Sequence, residues 1–431
     1  MNIMTETDKS SIRVSKAYFR LLVVILILIE ILDAYTTGLP GIIPSNIIAE
    51  FLNDYETNTA QAIFALGSGI AMIGMYFVIV SQYFADRFGR KIMLVFTCLG
   101  MGFASLMIAL STSFIMYVIF LFLLYMFFSS DIWMIYINEE CPSEKRVIWA
   151  NIIVAGGIFG LLLATILRGI FITGQPGEIG WRGLALFAAV LGFGLGILSI
   201  FAVKETSIFL ENKEKKGEDL KPGFKENVVD IFKSSSRTQM LVLLLITFIG
   251  GLSFLFQAMA MAYFADQGGL SEPQLNLVLI FTFFMILAGY AFSALTGDKI
   301  GRKFLIYFWS IAMPIFVITT VVLVSMGLAA NMITWIFAGL GVSAIWGSLG
   351  AVRIISVEIV PTEKRGTSAG LRSLLTATGT TVGLLLSSFV IFFLGLGIAF
   401  IIFTLPLLIN IPLTYKYIQE TKGTDLTAVE S

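Results

Sequence analysis

Residues 86–91 read DRFGRK and residues 298–303 read DKIGRK. Each string closes one long apolar run and opens the next. The glycine permits a tight reversal, and the two bases after it hold the loop in water. Two further pairs repeat at nearly the same interval: ECPSEKR at 140–146 returns as IVPTEKR at 359–365, and KET at 204–206 returns as QET at 419–421. The offsets, 212, 219 and 215 residues, agree closely for polar strings set in a hydrophobic chain. The second half therefore reads as a copy of the first, in like orientation.

Outward from those strings the chain is mostly apolar. Of its 431 residues 57% are hydrophobic and only 13% charged, against roughly a quarter charged in an ordinary soluble domain. A hydrocarbon core about 30 Å thick takes roughly 20 helical residues. Runs of that size cover 21–43, 60–84, 92–110, 113–137, 147–172 and 182–203, then 239–264, 275–296, 304–326, 332–357, 367–391 and 393–415. The expectation is an all-α membrane protein of twelve transmembrane helices in two pseudo-symmetric six-helix bundles. Residues 1–203 form one bundle, 204–238 a polar linker and 239–431 the other. The first run is too long for the apolar core of a signal peptide and no small-residue cleavage site follows it, so it reads as a retained span.

Lys and Arg placement sets orientation. Lys9, Arg13, Lys16 and Arg20 precede the first span, Arg87, Arg90 and Lys91 follow the second, and Lys145 and Arg146 follow the fourth. Loops 44–59 and 265–274 hold no Lys or Arg, whereas 204–237 holds eight. Both termini and the linker are expected in the cytoplasm, with the protein multi-pass in the cell membrane and in contact with its lipid. Lys plus Arg equals Asp plus Glu at 28 each, leaving no cationic excess for nucleic acid. Cys98 and Cys141 make no disulfide framework, and neither a zinc motif nor a P-loop occurs. No metal or cofactor is expected.

The motifs resemble those of the major facilitator superfamily. DRFGRK looks like its signature loop between spans 2 and 3, and DKIGRK like the copy between spans 8 and 9. YINEECPSEKR after span 4, SVEIVPTEKRGTSAG after span 10, WR at the start of span 6, and KET and QETKG after spans 6 and 12 are similar to the sugar porter and metabolite:proton symporter branches. The resemblance runs the length of the chain and implies the major facilitator fold. It also implies a latch, with Asp86 set against the start of span 11 at Gly366, Thr367 and Ser368, worth roughly 0.3 to 2 kcal/mol as a charge on a helix N-terminus. Topology alone is the plainer reading of the same loop. Two departures weigh against a hexose: span 4 lacks the arginine usual near its start, and span 7 carries FQAMAMAYFADQGG, containing Gln257, in place of a glutamine-rich stretch.

The repeat names the gating residues: Asp86, Gly89, Arg90 and Glu139 in the first half, Asp298, Gly301, Arg302 and Glu358 in the second. Pseudo-symmetry places Glu139 by Arg90 and Glu358 by Arg302. Charges inside spans are costly and normally face a polar cavity. Glu30 and Asp33 stand in span 1, Asp131 in span 4 and Arg353 in span 10, the spans that the resemblance assigns, with span 7, to a central cavity. Asp131 and Arg353 lie at similar depth and are expected to pair. Tyr35, Trp133 and Trp346 are nearby aromatics that can stack on a substrate or fill the core. The chain has no histidine, so proton coupling falls to carboxylates. Glu30 and Asp33, three apart on one helix, are the expected carriers, because a carboxyl loads a proton when occluded and sheds it when hydrated. Gly156 with Gly160, and Gly379 with Gly383, have the spacing of close helix packing.

An enzyme is the first rival. GTSAG at 366–370 has the form of a nucleophile elbow, but it opens a membrane span and no histidine exists to serve as its base. A transport-derived nutrient sensor is the second, disfavoured by a tail of about fifteen residues after the last span. The expected function is proton-coupled uptake of a small polar metabolite such as an organic acid, by a monomer working through alternating access. Sugar transport and drug efflux are the alternatives.

Overall fold

The computed structural model describes residues 14–128, 132–141, 143–214, 224–234, 236–361 and 364–422. Among them every regular element is a helix, as a chain in hydrocarbon requires, because helices satisfy their own backbone polar groups. In the first half, α1 (Lys16–Ile42) is apolar apart from its entry and Glu30 and Asp33. α2 (Pro44–Phe51) occupies the loop read as a plain connection. Pro44 starts it where a missing N–H is harmless, and Ile47 and Ile48 are buried. The second span is α3 (Thr57–Met72), a 3-10 stretch at Ile73–Phe77 and α4 (Val78–Phe88). Then come α5 (Arg90–Ala109), α6 (Phe114–Met126), α7 (Ile132–Glu140), α8 (Ser143–Phe171) and α9 (Trp181–Ala202).

The linker is not featureless. It holds α10 (Ser207–Glu214) and α11 (Phe224–Lys233), the latter with Glu226 in its first turn and Lys233 in its last, each of the sign that the helix dipole favours. The second half runs α12 (Arg237–Leu252), α13 (Leu255–Asp266), α14 (Glu272–Lys299), α15 (Arg302–Ser325), α16 (Met332–Glu358), α17 (Arg365–Leu394), α18 (Leu396–Thr404) and α19 (Asn410–Tyr417). Among the described residues ten stretches are long and apolar enough to cross a membrane. With α1 and the α6–α7 pair they make the twelve spans of a multi-pass membrane protein.

Contacts gather the chain into two compact units, Met1–Leu39 with Gly74–Asp219, and Pro40–Ile73 with Leu220–Ser431. In the first, α5 packs most extensively on α9. Gly102 and Gly192 bring these backbones together: a Cβ on Gly192 would lie 2.5 Å from Gly102 Cα. α8 meets α1 in the same way, with Gly156 over Ile27 and Gly160 over the Ile31 carbonyl. In the second, α14 and α15 pack on α16, and α3 and α12 on α17. Gly379 and Gly383 there lie on the backbones of Phe248 and Leu252. Lipid is as apolar as leucine, so association in a membrane depends on such close backbone approach.

That dependence separates two glycines of one helix. Gly192→Val is expected to lower the melting temperature of the detergent-purified protein by several degrees, since backbone must move to admit it. Gly194→Ala, where a Cβ meets nothing within 4 Å, should leave it unchanged or raise it slightly, because alanine is the better helix former by up to about 1 kcal/mol. Thermal unfolding followed by size-exclusion chromatography checks both.

Candidate functional site

In the first unit the turn 86–91 is built around Gly89, which ends α4 and starts α5 at φ 114°. A side chain there is excluded twice, by that φ and by Glu205, whose carboxylate occupies the space a Cβ would take. Glu205 Oε1 accepts from the backbone N–H groups of Arg90 at 2.9 Å and Lys91 at 3.3 Å, so a carboxylate fills the exposed N-terminus of α5. The Arg90 side chain is buried and three-way bonded. Its Nε and Nη2 donate to Glu139 Oε1 at 3.2 and 3.0 Å, its Nη1 donates to the Ala85 carbonyl at 3.1 Å, and its guanidinium stacks 5.0 Å from the Phe209 ring on α10. Thr206 Oγ1 donates a short bond to Glu139 Oε2.

The second unit repeats the turn, the capping carboxylate and the arginine–glutamate clasp. Gly301 follows Ile300, the C-cap of α14, and starts α15 at φ 132°. Glu420 accepts from the N–H of Arg302 at 2.9 Å and of Lys303 at 3.1 Å. Arg302 Nη1 donates to the carbonyl five residues back, Gly297, at 2.9 Å, as Arg90 does to Ala85. Its Nη2 stands 3.6 Å from Glu358 Oε1, longer than the 3.0 Å of the first copy. Burial pushes the Glu420 carboxyl upward, but N–H bonds from Arg302, Lys303, Lys422 and Thr421 outweigh it and hold the group below the usual carboxylate range. The side chains of Asp86 and Asp298 lie outside the described residues, and so does Asp131 with its expected pairing to Arg353.

The intramembrane residues divide between the units. Asp33 is 6% exposed and within electrostatic reach of Cys98 on α5. Glu30 of α1 packs against α8, its Oε1 3.2 Å from where a Gly157 Cβ would stand. Tyr35 is fully buried with its hydroxyl donating to the Leu184 carbonyl at 3.0 Å, and Trp133 is 2% exposed. Both sit in the packed interior of the first unit. In the second, α13 packs on α16, and these helices carry Gln257 and Trp346. Gln257 Oε1 and Trp346 Nε1 are buried and have no hydrogen-bond partner among the described residues. Arg353 is exposed near the C-terminal end of α16, within electrostatic reach of Tyr290 on α14.

Several polar residues escaped the sequence reading. Glu205 and Glu420 stand in the repeated KET and QET strings, which was the signal available for them. Arg168 is fully buried in α8 and Arg372 half-buried in α17. At the end of the second unit that lacks Lys and Arg, Gln61 Nε2 donates to Asp266 Oδ2 at 2.7 Å and Asn46 Nδ2 to Glu272 Oε1 at 2.9 Å. These bonds tie α3 to α13 and α2 to α14.

The sequence profile of the Major Facilitator Superfamily matches residues 23–352 and 241–430. The cis,cis-muconate transport protein of Acinetobacter baylyi is 25% identical over 286 residues, which are 62% of this chain and 66% of that protein. A putative metabolite transport protein of Haemophilus influenzae is 23% identical over 315 residues, 68% of each chain. Among solved structures, a D-xylose-proton symporter superposes with a TM-score of 0.73 at 17% identity, covering 94% of this chain and 99% of the other. A bacterial homologue of the lysosomal transporter Spinster, in an inward-facing conformation, gives a TM-score of 0.71 at 15% identity, covering 93% and 97%. Both likenesses are of fold.

The lowered Glu420 carboxyl makes the second turn acid-sensitive. A group with a depressed folded-state pKa contributes stability above its unfolded value, about 4.3, and loses it as pH falls through the folded one. Melting temperature measured down to pH 3 is expected to fall less steeply in Glu420→Gln than in the parent protein. At neutral pH Glu205→Ala should cost more than Glu420→Ala, because Glu205 is the more buried and charge-assisted bonds gain strength away from water.

Proposed function

The chain belongs to the Major Facilitator Superfamily, and from that premise we propose that it is a secondary transporter coupling proton entry to uptake of a small organic acid. It works as a monomer by alternating access in a cell membrane, with both termini and the linker in the cytoplasm, where the positive-inside rule puts its basic loops. One observation carries the reading: acids Glu30 and Asp33 stand inside α1 and the exposed cation Arg353 inside α16. A carboxyl held away from water is suited to moving a proton, and a guanidinium to holding a carboxylate by two parallel bonds. The muconate transporter among the relatives carries an organic anion by name, which supports the same substrate class.

Asp33 is the coupling residue in this scheme and Glu30 adjusts it from the α8 side. Opening outward hydrates Asp33 and supplies a proton, occlusion with substrate dries it, and opening inward lets the proton go. Arg353 anchors the substrate charge, and Gln257 and Trp346 offer an acceptor and a donor to its remaining polar groups. The turns at Gly89 and Gly301, with Asp86 and Asp298, serve as cytoplasmic gates whose clasps, Arg90 to Glu139 and Arg302 to Glu358, exchange partners as access alternates.

Proteoliposomes with an imposed pH gradient, offered radiolabelled cis,cis-muconate and D-xylose, test the proposal. Accumulation of the acid and not the sugar is expected. Asp33→Asn should abolish gradient-driven accumulation while preserving exchange of substrate, which needs no net proton movement. A mutant that still concentrates substrate removes Asp33 from the coupling. Arg353→Ala should cut organic acid transport about tenfold or more, the loss of one charge-assisted contact; unimpaired transport would end the anchor reading.

A further inference from the structure

The two copies of the repeat diverge where the third span of each meets the sixth. In the first copy α5 and α9 close at glycine: a Cβ on Gly196 would run into the Leu99 side chain, and one on Gly192 into Gly102. The repeat offsets of 212 and 215 residues carry Leu99 to Ile311 on α15 and Gly196 to Ile411 on α19. They carry Gly102 to Pro314 and Gly192 to Leu407. No glycine of the first crossing returns in the second. Larger side chains at the crossing hold two helices apart, and Leu405–Ile409 winds as 3-10 helix just before α19.

An open apolar groove of about 400 Å³ runs between α15 and α19, lined by Tyr307, Ile311, Ile411, Pro412 and Tyr415. That volume falls in the roughly 300–1,000 Å³ range of small-molecule sites. Ile311 is 43% and Tyr415 80% exposed. Apolar surface left open on a membrane span meets lipid chains.

Charge gathers at one end of this groove. Lys303 lies one turn before Tyr307 on α15, and Lys416 follows Tyr415 on α19. Glu420 brings the two helix ends together, its carboxylate turned to the backbone N–H groups of Arg302 and Lys303. Tyr307 is within electrostatic reach of both Tyr415 and Glu420. Other bases here are engaged: Arg302 by Glu358, and Lys422 by the Lys299 carbonyl at 2.5 Å. Lys303 is half-buried, and Lys416 is exposed with its Nζ 5.2 Å from the Tyr417 ring. A lysine stem covers apolar surface while its ammonium reaches the edge of the membrane, the level that tyrosine also favours. An apolar slot that ends beside two ammonium groups fits a hydrocarbon chain with an anionic head.

We propose that this groove binds a phospholipid with an anionic headgroup, one acyl chain lying along Ile311, Ile411 and Pro412 and the phosphate held by Lys303 and Lys416. The site lies on none of the helices assigned to proton or substrate, α1, α13 and α16, so it stands or falls independently of the transport reading.

Native mass spectrometry of the detergent-purified full chain, offered phosphatidylglycerol and phosphatidylcholine with identical acyl chains, tests this. The anionic lipid is expected to be retained at least about fivefold more than the zwitterionic one. The double variant Lys303→Gln, Lys416→Gln should bring the two lipids level, and Ile311→Trp, which fills the groove, should lower retention of both. Equal retention by the parent protein, or a preference unchanged in the double variant, overturns the site. Full displacement by glycerol 3-phosphate would make it a site for soluble phosphate esters, and a dimer that excludes lipid would mean that a second copy covers the groove; either result ends the proposal. Where a variant fails to fold, the parent protein decides: phosphatidylglycerol with a diazirine on its acyl chain is expected to label α15 and α19, and labelling confined to other helices removes the site.

Discussion

A helix that begins at the edge of hydrocarbon presents four backbone N–H groups without partners, and in this protein a carboxylate from far along the chain meets them. Glu205 reaches the start of α5 and Glu420 the start of α15. Everything at these turns follows from that contact. The glycine is needed because the carboxylate occupies the position of its missing side chain. The arginine, its backbone N–H engaged, is left with its guanidinium free to bridge the helix before it and the glutamate ending another. One acid therefore organises three helix ends in each unit, and the last span of each six-span repeat is tied to the start of its third.

Between the ends the means of cohesion change. Charge is nearly absent, and helices approach through glycine faces: Gly102 on Gly192, Gly160 on Ile31, Gly379 on Phe248. The few embedded charges are thus conspicuous: acids in α1 and cations in α8, α16 and α17. A duplicated chain that keeps its turn residues in register while placing its embedded charges differently in the two copies has kept the architecture of its turns and changed the chemistry between them.

Much of this was legible from residue strings. DRFGRK and DKIGRK, with ECPSEKR and IVPTEKR, led to the pairing of each arginine with its glutamate, and apolar run lengths led to the spans. The shortfalls have physical causes. Glu205 and Glu420 were visible as parts of a repeat, but nothing local says that Glu205 meets Arg90, 115 residues away. α2, α10 and α11 are shorter than any search for membrane-length runs can register. Arg168 and Arg372 hide because one base does not interrupt a long apolar run. Glu30 and Asp33 look like a pair at a spacing of three, yet that spacing turns the helix by about 60°, enough to aim one at α8 and the other toward α5.

The end of the second unit that lacks lysine and arginine is held by amides on carboxylates, Gln61 on Asp266 and Asn46 on Glu272. Dissolved ions screen attraction between opposite charges over a length of about 8 Å at physiological strength, and an uncharged donor offers them much less to screen. The arginine–glutamate clasp at the opposite end of this unit, Arg302 to Glu358, is shielded from those ions by partial burial. Within the second unit, one end therefore resists dissolved ions by the neutrality of its donors and the other by keeping them out, so added salt reaches the second kind of contact only when it opens.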